Sequence, residues 1–145
     1  MSHRFAIIIP TSLVLFLLDR ALKFWARFGI PDNSANKIIS FTYIKNVAGP
    51  FSLPVANWLV MIIGFLVLIL VVILMRQVYI KKDWIKFLGF SLIIIGGVSN
   101  ILDRIFGGGV VDVFKTMWQG VFNLADVYLL CGLLLIISQS KIINK

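Results

Sequence analysis

Asn100, Asp103 and Arg104 stand three and four residues apart, and Asn123 and Asp126 repeat the three-residue step. On a helix such spacing puts each set on one face. Asp112 lies between them, in Gly109-Val110-Val111-Asp112. All fall within positions 96–126, which hold three of the chain's six acidic residues, every one an Asp. A charged side chain inside an apolar segment costs about 2.5–3.5 kcal/mol on insertion scales, so carboxyls kept there point to a use. Two nearby carboxyls in a low-dielectric site cannot both ionise at neutral pH; holding one proton between them, they offer a general base and a general acid together. Such a pair can activate water against a peptide carbonyl and protonate the leaving amine. The spacing permits aspartyl protease chemistry without demanding it. Interhelical hydrogen bonding, about 0.6 kcal/mol per contact, accounts for Asn100 or Asn123 alone, and an ion pair with Arg104 accounts for Asp103. Neither accounts well for Asp112 and Asp126, because one arginine cannot neutralise three carboxyls.

Other chemistries lack their residues. The single histidine, His3 at the N-terminus, leaves no base for a Ser–His or Cys–His nucleophile. It also leaves no basis for most metal sites, so neither metal nor cofactor is expected. Cys131 reads as a small core residue of the last apolar segment and, being alone, forms no internal disulfide. A Ser–Lys dyad needs a lysine at membrane depth, and only Lys45 or Lys115 comes near. Gly107-Gly108-Gly109 lacks the Lys-Ser/Thr ending of a phosphate loop and reads as a hinge.

The chain must embed these residues in a membrane. Its 145 residues are 60% hydrophobic and 14% charged, against roughly a half and a quarter in soluble proteins. A soluble domain of this size could not bury so much apolar surface, so a single integral membrane domain is expected over 1–145. The net charge of +8 suits anionic lipid head groups. Lysines and arginines are scattered between apolar segments, which argues against a nucleic-acid partner.

Four apolar segments predict transmembrane helices over about 5–25, 56–75, 86–103 and 121–138. After the first come Asp19, Arg20 and Lys23 without a small-x-small cleavage site, so it reads as a retained span. Residues 28–55 form the extracytoplasmic loop. Within it Gly29 and Pro31 mark a turn, and 37–46 is rich in β-branched and aromatic residues. That composition predicts a strand in a small sheet at the membrane surface, with 46–52 turning the chain back. Gly107-Gly108-Gly109 should break the third helix and allow a re-entrant or surface loop. Residues 76–86 read as a short loop with four basic residues in eleven. Its charge density puts it and both termini in the cytoplasm, although the basic residues total seven on each side. The polar faces then converge near the outer surface.

At these residues the sequence resembles the lipoprotein signal peptidase (signal peptidase II) family of bacterial intramembrane aspartyl proteases. Asn100-Ile101-Leu102-Asp103-Arg104, Gly109-Val110-Val111-Asp112 and Phe122-Asn123-Leu124-Ala125-Asp126 carry the resemblance. It extends more loosely to 41–52 and to 19–23. The resemblance implies an all-α integral membrane fold of four transmembrane helices. A small β-strand cradle and a surface half-helix after Arg104 would lie on the extracytoplasmic side. It implies Asp112 and Asp126 as the catalytic pair, Asn46, Asn100, Arg104 and Asn123 lining the site, and Asp19 and Lys23 in support. The implied substrate is a prolipoprotein carrying diacylglycerol on its lipobox cysteine, cut just before that cysteine. The implied setting is the bacterial cytoplasmic membrane, with surrounding lipid and no further subunit. Leu22, Ala48 and Ser99 depart from the family's usual residues. The alternative of another class is a small proton- or ion-conducting protein using the same carboxyls, but a relay should string acids across the membrane.

Overall fold

The computed structural model describes residues 3–29, 38–49 and 54–142. Its elements are α1 (His3–Ala26), β1 (Ile39–Asn46), α2 (Asn57–Ile80), α3 (Trp84–Gly107), β2 (Val110–Thr116), β3 (Val121–Phe122) and α4 (Leu124–Ile142). The first three helices are long and apolar enough to cross a membrane. At 1.5 Å per residue, their 24 residues reach about 36 Å. The fourth, at 19 residues, is a shorter apolar helix of about 28 Å.

α2 is apolar on every side and buries only Val71, an arrangement that suits lipid and not water. α3 is the hub: α1, α2, α4 and β2 all pack on it. Hydrocarbon gives no hydrophobic push between helices, so close approach of small residues matters. A Cβ on Gly96 would sit 2.5 Å from the Ala125 carbonyl oxygen, and one on Gly132 equally near that of Gly89. The glycines thus set how closely α3 and α4 lie. Pro10 is accommodated inside α1, as membrane helices allow.

β1, β2 and β3 form an antiparallel sheet in that order. Ile44 pairs with Asp112 and Asn46 with Val110, beyond a bulge between Phe41 and Ile44. Ala26 at the end of α1 packs with Val111 and Val113, which docks the sheet on one end of the helices. Arg4 stacks on Trp84 at the other end, 4.7 Å from the ring centroid, and Phe5 packs against Tyr79 and Phe87. The start of α1 therefore lies beside the 81–83 turn, away from the sheet.

Three expectations are corrected. The residues after Arg104 form no half-helix: α3 runs to Gly107, Gly108 caps it with a left-handed φ of 69°, and the chain enters β2 at once. The Gly108 N–H closes that cap on the Arg104 carbonyl at 3.0 Å. The basic loop is a three-residue turn, because α2 continues through Arg76 to Ile80 and Asp83 caps α3 by accepting from the Lys86 N–H. Cys131 is exposed on the outer surface of α4 and takes no part in the core. The strand expected over 37–46 is β1; of the turns expected over 28–33 and 46–52, residues 30–33 and 50–52 lie outside the described residues.

Candidate active site

The site lies where the sheet meets the ends of α1, α3 and α4. Asn123 directly precedes α4 and is wholly buried. Its side-chain oxygen accepts the Asp126 N–H at 3.0 Å, while the Asp126 carboxylate accepts the Asn123 N–H at 3.1 Å. This is a reciprocal cap of the capping-box kind. The remaining group of Asn123, its amide NH2, donates to Asp112 Oδ1 at 3.0 Å. One residue therefore bonds both carboxyls. Asn100 Nδ2 donates to Asp126 Oδ1 at 2.9 Å from α3. Burial, with Asp126 close by, pushes the Asp112 carboxyl up to about 6 against the hydrogen bonds of Asn123 and Asn46. Asn46 also accepts the Ala48 N–H, which folds the chain back after β1.

Behind this pair sits a second cluster. Lys23 is fully buried, 3.0 Å from Asp19 and 2.8 Å from Asp103, and donates to Asn100 Oδ1 at 3.0 Å. Arg20 pairs with the other oxygen of Asp103, and the Ser99 hydroxyl donates to Asp19. Two cations thus meet two anions. The same carboxylates reach backbone: Asp103 accepts the Val111 N–H at 3.3 Å and Asp19 the Ala125 N–H at 3.0 Å. Val111 precedes Asp112 and Ala125 precedes Asp126. The charge cluster therefore grips the chain one residue from each front carboxyl.

The expected pairing of Asp103 with Arg104 does not occur. Adjacent helical residues point in different directions. Asp103 turns to α1, whereas Arg104 donates to Asn57 Oδ1 at 2.8 Å and to the Ala48 carbonyl at 2.9 Å. Among the described residues, Asp19 and Asp103 are the buried carboxylates with ion-pair partners, and Asp112 and Asp126 have none. Sequence reading missed Arg20, Ser99 and Asn57. Arg20 and Lys23, one and four residues after Asp19, were the available signal for a charged patch on α1.

The fold is that of a bacterial membrane enzyme. Two solved structures so described superpose with TM-scores of 0.72 and 0.73, at 22% and 21% identity. Each covers 92% of this chain, over 87% and 92% of its own length. Within that class the chain belongs to the Signal peptidase (SPase) II family, whose sequence pattern matches residues 11–142. The lipoprotein signal peptidase of Syntrophomonas wolfei is 32% identical over 130 residues, 86% of each chain. That of Caldicellulosiruptor bescii is 36% identical over 132 residues, 90% of this chain and 85% of its own.

Proposed function

We propose that the chain is an intramembrane aspartyl endopeptidase that removes signal peptides from diacylglyceryl-prolipoproteins, cutting before the lipidated cysteine. The observation that carries this reading is the sorting of the buried aspartates. Arg20 and Lys23 neutralise Asp19 and Asp103, leaving Asp112 and Asp126 unpaired and joined through Asn123. Family membership supplies the substrate class.

In the proposed mechanism one carboxylate of the pair takes a proton from water, and the resulting hydroxide attacks the scissile carbonyl carbon. The other, protonated carboxyl donates to the carbonyl oxygen. The tetrahedral intermediate collapses as the C–N bond breaks: the carboxyl protonated by the water gives that proton to the leaving amine, and the intermediate's hydroxyl returns one to the partner carboxylate. A group titrating near 6, as Asp112 does, exchanges protons readily in both directions near neutrality. Asn100 and Asn123 hold the carboxylates in register, and Arg104 fixes the 46–48 segment at the site's edge through Ala48.

The four helices would then all cross the bacterial cytoplasmic membrane, α4 at about 28 Å falling slightly short of a hydrocarbon core of about 30 Å. Both termini and the 81–83 turn would be cytoplasmic and the sheet extracytoplasmic, with the protein acting as a monomer. Clustering of the carboxyls at one end supports a peptidase over a transmembrane proton relay, which needs acids in series. The test is cleavage of a lipidated lipobox peptide by the purified chain. Asp112→Asn and Asp126→Asn should each reduce turnover by about 100-fold or more. Residual turnover of either above about a tenth of wild type removes that residue from the catalytic role.

A further inference from the structure

α1 and α2 both pack along α3 and meet each other only near the 81–83 turn, at Phe5 and Ile8 against Tyr79 and Met75, which leaves a groove over α3 beyond that contact. Part of it is a cavity of about 340 Å3, within the range of small-ligand sites. It runs from Ile9 to Phe16 on α1 and from Ser91 to Val98 on α3, with Met75 on α2. Seven residues of helix make it about 10 Å long. The candidate active site is elsewhere: Asp19 and Lys23 follow Phe16, Asn100 and Asp103 follow Val98, and Asn57 is at the far end of α2 from Met75. The cavity therefore lies at mid-length of α1 and α3, on the side of the candidate active site that faces the 81–83 turn.

Two observations point to an occupant. The first is Ser12, which lines the cavity and is more than nine-tenths buried. Its hydroxyl is the one buried side-chain polar atom without a partner among the described residues. Thr11 and Ser91 instead donate to the carbonyls of Ile7 and Phe87, at 2.9 and 2.8 Å. A buried hydroxyl left unmatched is costly, so an acceptor entering the cavity gains from it. The second is charge. Arg4, Arg76, Lys81 and Lys82 are exposed at this end, and Arg76 adjoins Met75. The one acid beside them, Asp83, is engaged with Lys86 at 3.4 Å. A second copy would bring the same positive end against this one, and a helix with a basic head would be repelled.

An apolar groove with a basic rim fits a long apolar tail joined to an anionic head. We propose that it binds one anionic phospholipid of the leaflet facing the 81–83 turn. An acyl chain fills the cavity and the phosphate lies among Arg4, Arg76, Lys81 and Lys82. Ile8 packs in one cluster with Met75, and Ser12 lies one turn deeper on α1. An ester carbonyl below the phosphate is the acceptor this proposal offers the Ser12 hydroxyl.

The experiment uses the full chain in phosphatidylcholine nanodiscs with a minor fraction of phosphatidylglycerol bearing a diazirine on one acyl chain. Illumination should place the label on peptides containing Leu13 and Ile95. The combined Arg76→Gln, Lys81→Gln and Lys82→Gln variant should cut that labelling by about tenfold or more. Ser12→Leu, which fills the cavity, should displace it. Equal labelling by a diazirine phosphatidylcholine, labelling spread evenly onto Leu130 and Leu134 of α4, or labelling unchanged by Ser12→Leu would overturn the proposal. Melting curves with unlabelled lipid give a second reading should Ser12→Leu misfold. Phosphatidylglycerol should raise the wild-type melting temperature above that in phosphatidylcholine alone, and the triple variant should abolish the difference. Equal melting temperatures of the wild type in the two lipids would also overturn it.

Discussion

Asn123 touches both unpaired carboxyls, so Asp112 and Asp126 should behave in solution as one unit. If they do, an Asp112→Asn/Asp126→Asn double variant should turn over lipidated peptide scarcely more slowly than either single variant. Rate losses that multiply would show two independent roles instead. Asp112 also makes a stability prediction. Its folded-state value, about 6, is above the ordinary 3.8, so between these the folded chain holds the proton more tightly than the unfolded chain. Stability must therefore fall as pH rises from about 4 to 6 and level off above. Asparagine keeps the acceptor for Asn123 and has no charge to bury. Asp112→Asn should match wild type in melting temperature near pH 4 and exceed it above pH 6. A variant less stable than wild type at pH 7 and equal to it at pH 4 would reverse the sign and refute this account of the burial.

At the scale of elements, the buried charges hold β2 and α4 to α1 and α3. Lys23→Met leaves Asp19 and Asp103 with a lost partner, and breaking buried pairs in this way costs about 3–5 kcal/mol. The melting temperature should drop well below that of Asp112→Asn, and turnover should fall with it, because Val111 and Ala125 lose their anchors. Turnover near wild type in a destabilised Lys23→Met would separate the cluster from the site. This part of the molecule was only half legible in the sequence. Asp19 and Lys23 were expected in support by resemblance, yet a lysine near a helix end ordinarily snorkels to water, so nothing in the pattern signalled its complete burial. Arg104 looked like the partner of Asp103 because it was next in the chain; helix geometry sends the two apart. β1 was legible through its run of Ile39, Phe41, Thr42 and Ile44. β2 was not, since its identity as a strand depends on pairing with β1 about 70 residues away in the chain.

For the whole molecule, the proposed orientation makes a labelling prediction. The helix axes alternate so that the sheet and the 81–83 turn lie at opposite ends. On a Cys131→Ser background, Gln119→Cys at the β2–β3 turn should react with an impermeant thiol reagent added outside the cell. Lys82→Cys should react only after the membrane is opened. The reverse pattern would invert the proposed topology. That background is a mild one, because Cys131 lies on the outer surface of α4 and fills no core space.

The buried ion cluster also sets a timetable for biogenesis. Asp19, Arg20 and Lys23 leave the ribosome with α1, but their partners Ser99 and Asp103 follow 76 to 83 residues later. At about 5–20 residues per second, α1 waits roughly 4–17 s before Ser99 and Asp103 of α3 are made. During that interval Asp19 and Lys23, one helical turn apart, have only each other as partners, and Arg20 lacks Asp103. A nascent chain stalled between α2 and α3 therefore carries the charges of α1 without the α3 residues that bury them. Completion of α3 is the moment at which that end closes.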